Sequence, residues 1–305
     1  MIALQERWCT LRGPGPAKKE LYAANFSVDD VRASTFSARR APDRRHFRLV
    51  ECERCGIIFS DPCCSPEQLG ELYSQGVVTY GPQEDQIYDS YAPILDRAVA
   101  RSTHRGLFVE VGGGAGFMLR YGASAGFDSQ IEVEPSADAE RKFVAPSPRA
   151  TFIRDVMTVG TLSAGSASLI CFFQMLDHLP DPLRFLEIVH AALEPGGVAV
   201  CVTHDASALT TRLLGEASPI FDIQHTCLFN SRNLRQLFAA AGFVGVETFA
   251  VANAYALKYW LHLAPSPPVP KHGLLRLVER VGAANLRLKL KMGNIGAIGQ
   301  KAELP

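Results

Sequence analysis

The sequence carries no net charge, because 31 Lys and Arg balance 31 Asp and Glu. That balance removes any overall electrostatic drive toward nucleic acid or an anionic membrane. No stretch approaches the roughly 18 uninterrupted apolar residues that a membrane-spanning helix needs. The opening MIALQERWCTLRG has no basic start followed by a long apolar run, so no secretory leader is read there. Cys171, Cys201 and Cys227 sit in apolar segments and read as buried thiols, not as a disulfide framework. These absences predict a cytoplasmic protein. Internal repeats and low-complexity tracts are also lacking. The one local cluster of charge, Arg39, Arg40, Arg44 and Arg45, lies among Ala, Pro and Asp and reads as a solvated loop.

What is present is a chain of 305 residues with 47% hydrophobic content, enough for one large core or two modest ones. Residues 1–64 are irregular and rich in Arg, Pro and Gly. They include ECERCG, where Cys52 and Cys55 have the Cys-x-x-Cys-Gly spacing of a zinc knuckle. Residues 65–104 read as helical. Ser65 is placed to cap SPEQLGELYSQ, with Pro66 in the first turn. Ile87, Tyr91, Ile94, Leu95, Ala98 and Val99 recur at helical spacing, and Pro93 is a point where that helix can break.

From about residue 105 the pattern alternates. GLFVEVG, SQIEVEP, RATFIRD and SASLICFFQ read as strands, with a helix AGFMLRYGASAG after the first. The helix PLRFLEIVHAAL follows the fourth, and its EPGG turn leads into the strand VAVCVTH. SRNLRQLFAAAGF reads as a helix ended by Gly242, leading into VGVETFAV. Strand–helix alternation of this kind predicts a doubly wound, mostly parallel α/β sheet covered on both faces. A Pro-rich and basic amphipathic insertion at about 254–292 interrupts it, and NIGAIGQKA is expected to return as an edge strand.

VEVGGGAGF closes the first of these strands, where an open parallel sheet offers a ligand crevice. Gly112, Gly114 and Gly116 form G-x-G-x-G. A dinucleotide fingerprint would place its third glycine at 117, where Phe117 stands. Glu110, two residues before the loop, would repel a pyrophosphate at the helix N-terminus. It suits a ligand with positive groups and no phosphate, such as S-adenosylmethionine. Glu134, at the end of the second strand, is placed to accept both ribose hydroxyls. The plainer reading makes the two acids ordinary strand-end charges around a tight turn.

With these residues in order, the segment from about 106 to 250 resembles the class I S-adenosylmethionine-dependent methyltransferases. VEVGGGAG looks like that family's first motif and IEVEPS like its second-strand acid. IRDVMT resembles the segment that meets the adenine amino group, which gives that role to Asp155 and Val156. LICFFQMLDHLPDPLRFL resembles the fourth-strand motif written with Leu-Glu-His; Asp177 replaces the Glu, and Gln174 joins the cofactor-contacting residues. LEPGGVAVCVTH looks like the family's Pro-Gly-Gly turn and fifth strand. The resemblance implies a seven-stranded Rossmann-like sheet, S-adenosylmethionine as cofactor and methyl transfer as the activity.

Methyl transfer to oxygen or carbon requires the acceptor to lose a proton, which calls for a base. His178, just past the fourth strand, lies at the carboxyl edge of the sheet, and His204 near the end of the fifth is a weaker candidate. His225 lies in FDIQHTCLFNSRNL, which resembles the Glu-His-x-x-x-Phe-Ser element of a subgroup that modifies sugars and related small molecules. The matching His acts there as base, so His225 is the first choice, although Gln224 replaces the Glu and Asn230 the Ser. Tyr80 resembles a position whose Tyr closes over the site.

Members of that subgroup begin with a zinc domain, and VECERCGIIFSDP resembles its second half. In the first half, WCTLRG, Cys9 matches a ligand but Arg12 stands where the second should be. The implied metal ligands are Cys9, Cys52 and Cys55, with Cys63, Cys64 or His46 as a fourth only if the loop folds back. Without metal the pair Cys52/Cys55 would be a vestigial turn. The expected protein is a methyltransferase with a small-molecule acceptor, a sugar nucleotide or saccharide intermediate among the candidates. The competing readings are a non-catalytic zinc-containing adaptor and a methyltransferase acting on RNA or protein. The last is disfavoured by the zero net charge and by QMLD standing where a nitrogen-transfer (N/D/S)-P-P-(Y/F) tetrapeptide would be.

Overall fold

A computed structural model describes residues 3–303 except 16, 28–30, 32, 37–43, 78–83 and 264–267. Arg39, Arg40 and Tyr80 lie outside the described residues. In chain order, β1 (Leu4–Gln5), β2 (Lys18–Tyr22), β3 (Leu49–Cys52), β4 (Ile58–Ser60) and β5 (Cys63–Cys64) come first. Helices α1 (Pro66–Ser74) and α2 (Glu84–Val99) follow. The alternating part runs β6 (Leu107–Val111), α3 (Leu119–Ser124), β7 (Ser129–Val133), α4 (Ala137–Lys142), β8 (Ala150–Ile153), β9 (Ala167–Phe173), α5 (Pro182–Ala192) and β10 (Leu193–His204). Next come α6 (Leu209–Leu214), β11 (Cys227–Leu228), α7 (Ser231–Ala240) and β12 (Val244–Ala250). The insertion is β13 (Asn253–Ala256), α8 (Leu257–Leu263), α9 (Pro268–Arg280) and β14 (Arg287–Leu290), and β15 (Asn294–Gln300) ends the sheet.

The main sheet has seven strands in the order β12-β15-β10-β9-β6-β7-β8. The pairs from β10 through β8 are parallel, while β15 is antiparallel to both its neighbours. Every residue of β9 is buried, as a strand covered on both faces requires. One layer of the core packs α5 and α7 on the sheet through Phe185, Leu186, Leu234 and Phe238, and the other packs α2 through Ile87, Tyr91, Ile94 and Leu95. No helix among the described residues is long and apolar enough to cross a membrane.

Local signals held at several places. The Ser65 hydroxyl accepts the Gln68 N–H at 3.3 Å and starts α1. Gly242 adopts φ +95° just past α7. Pro93 lies inside α2 without ending it, because the buried face of that helix continues on both sides of it.

Two expectations are corrected. The run NIGAIGQKA forms no edge: β15 lies between β10 and β12, with Ile295–Gly299 wholly buried. Small residues make this possible, since a Cβ on Gly296 would lie 2.5 Å from the Phe249 ring and one on Gly299 would lie 2.9 Å from Phe238. The edge strand is β12, whose side chains are mostly half-exposed. The EPGG turn is also absorbed into β10, as a register shift between Leu193 and Val198 that contains Gly196 at φ +77°.

The N-terminal strands do not stand apart. Their sheet has the order β11-β4-β3-β2, so a two-residue strand from position 227 completes it. Cys9, Val50, Cys52, Ile57 and Phe59 share one core cluster with Val109, Ile170 and Phe229. Replacing Gly296 with Val should force Phe249 off the sheet and destabilise the fold by about 1–3 kcal/mol; urea melts would measure the loss.

Candidate active site

The glycine loop after β6 closes over two buried carboxyl groups. Parallel register sets Glu110 opposite Glu132 on neighbouring strands, and the alternation of β7 puts Glu134, two residues on, on the same side. Glu110 accepts the Met118 N–H at 3.0 Å, and Glu132 accepts the Gly113 N–H at 2.8 Å. Burial pushes Glu110 up to about 7, although its hydrogen bond with Glu132 works the other way, and burial together with the Glu110 and Glu134 carboxylates pushes Glu132 well above its ordinary range. Gly113 rests directly on the Glu110 carboxyl, where a Cβ would come within 2.1 Å.

Glu110 therefore braces the loop from behind and does not line the cavity in front of it; Gly116 is also absent from the lining. Glu132 and Gly113 escaped sequence reasoning, although the IEVE alternation carried the signal for the first.

A cavity of about 810 Å³ opens at the carboxyl edge of the sheet. It brings together Gly112, Gly114, Glu134, Asp155, Val156 and Gln174, all expected from the sequence. Glu134 accepts N–H groups from Gly114 at 3.3 Å and Ser136 at 3.0 Å, and burial raises its pKa. Asp155 accepts the Val156 N–H at 2.7 Å. Gln174, at φ +54°, donates its amide N–H to the Tyr91 hydroxyl at 3.3 Å, while its buried carbonyl oxygen has no partner among the described residues.

These groups fit S-adenosylmethionine by their chemistry. Glu134 suits a ribose diol, Asp155 with Val156 an adenine edge, and the orphaned Gln174 oxygen an ammonium.

At the far side of the same cavity stand three histidines around one acid. Asp177 and His178 form a single 3-10 turn after β9, His204 ends β10, and His225 precedes β11. Asp177 is fully buried. Burial works to raise its pKa, but His204, His225 and His178 outweigh that and hold it far below the usual carboxylate range. Its Oδ2 lies 2.6 Å from His204 Nδ1. With Asp177 ionised, Nδ1 carries the proton and donates it, which leaves Nε2 as the basic nitrogen of His204.

His225 is held differently. Its Nδ1 donates to the Ile220 carbonyl at 2.8 Å. Burial, and then His204 beside it, push it down to about 3. His178 is lowered by burial and stacks on Tyr73 with ring centroids 5.8 Å apart. Its Nε2 is 4.0 Å from Asp177, too far for a hydrogen bond. The cavity thus gathers His178, His204 and His225, and His204 is the one whose ring nitrogen is hydrogen-bonded to Asp177.

The two departures from the subgroup element have structural partners. Gln224 donates to the Thr35 carbonyl at 2.8 Å, and Asn230 caps α7 by accepting N–H groups from Arg232 and Asn233, both at 3.0 Å.

The N-terminal residues hold this arrangement in place. Arg7 donates to the carbonyls of Ser60 (3.1 Å), Thr226 (2.9 Å) and Pro180, so one guanidinium ties the loop of His225 to the loop of His178. Thr10 donates to Asp181 at 2.8 Å beside it.

The knuckle residues Cys9, Cys52 and Cys55 have sulfurs within 4.8 Å of one another, and none lines the cavity. No fourth Cys, His, Asp or Glu among the described residues joins them. His46 is engaged with the Phe47 carbonyl and Glu216, and Cys63 and Cys64 pair with β1. The donor set is therefore incomplete for tetrahedral structural zinc. Cys55 is instead lowered to about 6, by the Cys9 thiol 3.4 Å away and also by Arg12.

The family described as "Methyltransferase domain" matches residues 83–248. No curated protein matches the chain. Among solved structures, a SAM-dependent methyltransferase from Archaeoglobus fulgidus aligns at 12% identity and a TM-score of 0.50, over 73% of this chain and 99% of that one. A Haloferax volcanii complex between the Trm112 methyltransferase activator and a methyltransferase aligns at 16% and 0.49, over 73% and 95%. Phosphoethanolamine N-methyltransferase 2 from Haemonchus contortus, in complex with S-adenosyl-L-methionine, aligns at 15% and 0.46, over 71% and 53%. At these identities the likeness is one of fold.

The paired carboxyls set two expectations. Glu110, up to about 7, and Glu132, higher still, keep their protons where the unfolded chain has already lost them, so the fold loses stability as pH rises from the ordinary carboxylate range through those folded-state values. Glu132→Gln should flatten that loss, stabilising the protein at pH 8.5 by about 1–3 kcal/mol with little effect at pH 5; thermal melts across pH would show it. Gly113→Ala should displace Glu110 and weaken S-adenosylmethionine binding at least about tenfold, a loss of order 1–3 kcal/mol, read by calorimetry.

Proposed function

The chain belongs to the methyltransferase-domain family and is an S-adenosylmethionine-dependent enzyme, and from that premise we propose that it methylates oxygen or carbon of a small, hydroxyl-bearing acceptor, with His204 as the general base. S-adenosylmethionine, when bound, supplies an electrophilic methyl group on a positively charged sulfur. The residues proposed to hold it are Gly112, Gly114, Glu134, Asp155, Val156 and Gln174.

The Asp177–His204 pair carries this reading. A nitrogen acceptor that is already a free amine needs no base to open its lone pair, whereas a hydroxyl or an acidic C–H must shed a proton as the new bond forms. His204 Nε2 takes that proton, and the resulting imidazolium is stabilised by the Asp177 carboxylate 2.6 Å away. His225, lowered to about 3, stays neutral at working pH. It serves as a hydrogen-bond acceptor that orients the acceptor hydroxyl and is a poor final home for the proton. His178 lines the cavity beside them, its ring centroid 5.2 Å from that of His225.

The choice of a hydroxylated molecule, a sugar nucleotide or saccharide intermediate among them, rests on the cavity lining. Tyr259 and Trp260 offer flat apolar faces, and the buried Asn253 carbonyl oxygen lacks a partner among the described residues. We take residues 1–64 as the segment that positions the histidine loops, 65–104 as helical cover, and 254–292 as the acceptor-side wall. Zinc has no assigned part in the reaction. The eight free thiols fit a reducing compartment, which favours the cytoplasm.

Screening hydroxylated acceptors with methyl-labelled cofactor tests the reaction class; transfer confined to amines would overturn it. Within an active assay, His204→Ala and Asp177→Asn should each lower kcat by about 10²–10⁴-fold and leave cofactor affinity near normal by calorimetry. His225→Asn should act mainly on KM. Full turnover by the His204 variant would remove it as base.

A further inference from the structure

The insertion that walls the cavity has a second face. Inward, Trp260, Leu290 and Met292 line the cavity. Outward, α9 and the turn after it expose Leu274, Leu277 (55%) and Val281 (67%), and Leu286 follows at 56%. Positions 274, 277 and 281 fall at i, i+3 and i+7, so they form one stripe along the helix. Val278, next to the stripe, is buried, which fixes the rotation of α9 and leaves the stripe facing out.

Cations flank it. Arg276 and Arg280 are exposed on α9, and Arg287, Lys289 and Lys291 are exposed on and just after β14, with Arg287 also paired to Asp89. Between positions 271 and 292 there are six Lys and Arg against one acid, Glu279, in a chain whose overall charge is zero.

A second element also exposes apolar side chains. Helix α6 exposes Leu209 (69%) and Leu213 (75%), while its Thr210, Thr211 and Leu214 line the same cavity. Thr210 Oγ1 lies 3.6 Å from where a Cβ on Gly293 would be, so α6 abuts the point where the insertion leaves β14. Exposed apolar side chains thus stand on the insertion and on α6, each of which also gives residues to the lining of one cavity, and the positive charge is gathered on the insertion.

We propose that this face docks the enzyme on an anionic lipid surface, with the stripe of α9 and the leucines of α6 entering the interfacial layer and the arginines and lysines meeting lipid phosphates. An amphipathic helix with a leucine and valine face flanked by Arg and Lys binds the interface by adding apolar burial to attraction for anionic headgroups. The local charge supplies the attraction that the whole chain lacks, and its range is set by salt. The proposal goes beyond the methyl-transfer reading and does not depend on it. It also places the cavity beside the bilayer, where an acceptor bearing an acyl or prenyl chain would be presented.

Co-sedimentation of the full chain with vesicles tests it. Binding is expected to vesicles of phosphatidylcholine with about one-third phosphatidylglycerol, to weaken with added salt, and to be absent with pure phosphatidylcholine. Arg276→Glu combined with Arg280→Glu should cut partitioning by about tenfold or more, and Leu277→Asp combined with Val281→Asp should do the same through the other component. Neither pair lines the cavity, so calorimetric binding of S-adenosylmethionine should persist in both and show that they are folded. Failure to bind the anionic vesicles overturns the proposal, as does binding that both double variants retain. Saturable binding to an acidic protein by the same face, without vesicle binding, overturns it in favour of a protein partner.

Discussion

An ionised carboxylate with no access to water must be stabilised by fixed positive or donating groups, or it takes up a proton. Asp177 meets that demand through His204, whose Nδ1–H donates to it at 2.6 Å, with His178 and His225 standing alongside, and much of the architecture serves to deliver the three rings. His204 arrives at the end of β10, a strand held on one side by β9 and on the other by β15. His178 is fixed by the same 3-10 turn that carries Asp177. His225 lies in a loop with no strand of its own, and it is secured because Thr226 next to it is bonded to both the Ser60 N–H and the Arg7 guanidinium. One buried negative charge thus couples the centre of the sheet to the N-terminal strands.

The carboxyls beneath the glycine loop solve the opposite problem. Glu110 and Glu132 are as deeply buried as Asp177, but the neighbour of each is another carboxyl, so a proton replaces the missing cation. The protonated pair can then hold backbone N–H groups of the loop at Gly113 and Met118 without placing full negative charge behind a ligand site. The remaining acid, Glu134, stands at the cavity wall with two loop N–H groups on its oxygens. Chemically similar side chains within one sheet edge therefore take different charge states, and each state follows from which groups the register brings alongside.

That dependence on register explains what the sequence disclosed and what it withheld. Gly112, Gly114, Glu134, Asp155 and Val156 are local: each sits at the end of a strand whose limits are readable from its apolar run and its bounding glycine or acid, and the cavity gathers them. The Asp177–His204 bond joins residues 27 apart on the ends of β9 and β10, and only the parallel pairing of those strands makes them neighbours. His225 was legible from its motif, but its depressed basicity comes from burial and from His204, neither of which a motif encodes. Gly113 was invisible for another reason. The positive φ of its neighbours fits a glycine pattern, whereas its own need is steric and arises from a carboxyl three residues away that turns back under the loop. The inner position of β15 was missed because its length and Gly content suit an edge as well as a slot between two strands; the slot is set by Phe238, Phe243 and Phe249, which fill the space that its glycines leave.

The cysteine cluster is built on two turns of one backbone form. The turn at Cys9 closes with the Gly13 N–H on the Cys9 carbonyl at 2.7 Å, and the turn at Cys52 closes with the Gly56 N–H on the Cys52 carbonyl at 2.8 Å. Gly13 and Gly56 both take positive φ, +64° and +73°. In the first of these turns Arg12 holds the position that Cys55 holds in the second. A guanidinium cannot ligate a metal, but it can favour a thiolate, and it contributes to lowering Cys55. Cohesion of the N-terminal region then has to come from elsewhere, and its sources are visible: the strand supplied by Cys227–Leu228, the shared apolar cluster around Phe59 and Phe229, and the bonds of Arg7 to three carbonyls. Each of these ties residues 1–64 to the loops that carry His178 and His225. The position of the histidine cluster therefore depends on the order of residues 1–64 as well as on the sheet edge that carries it.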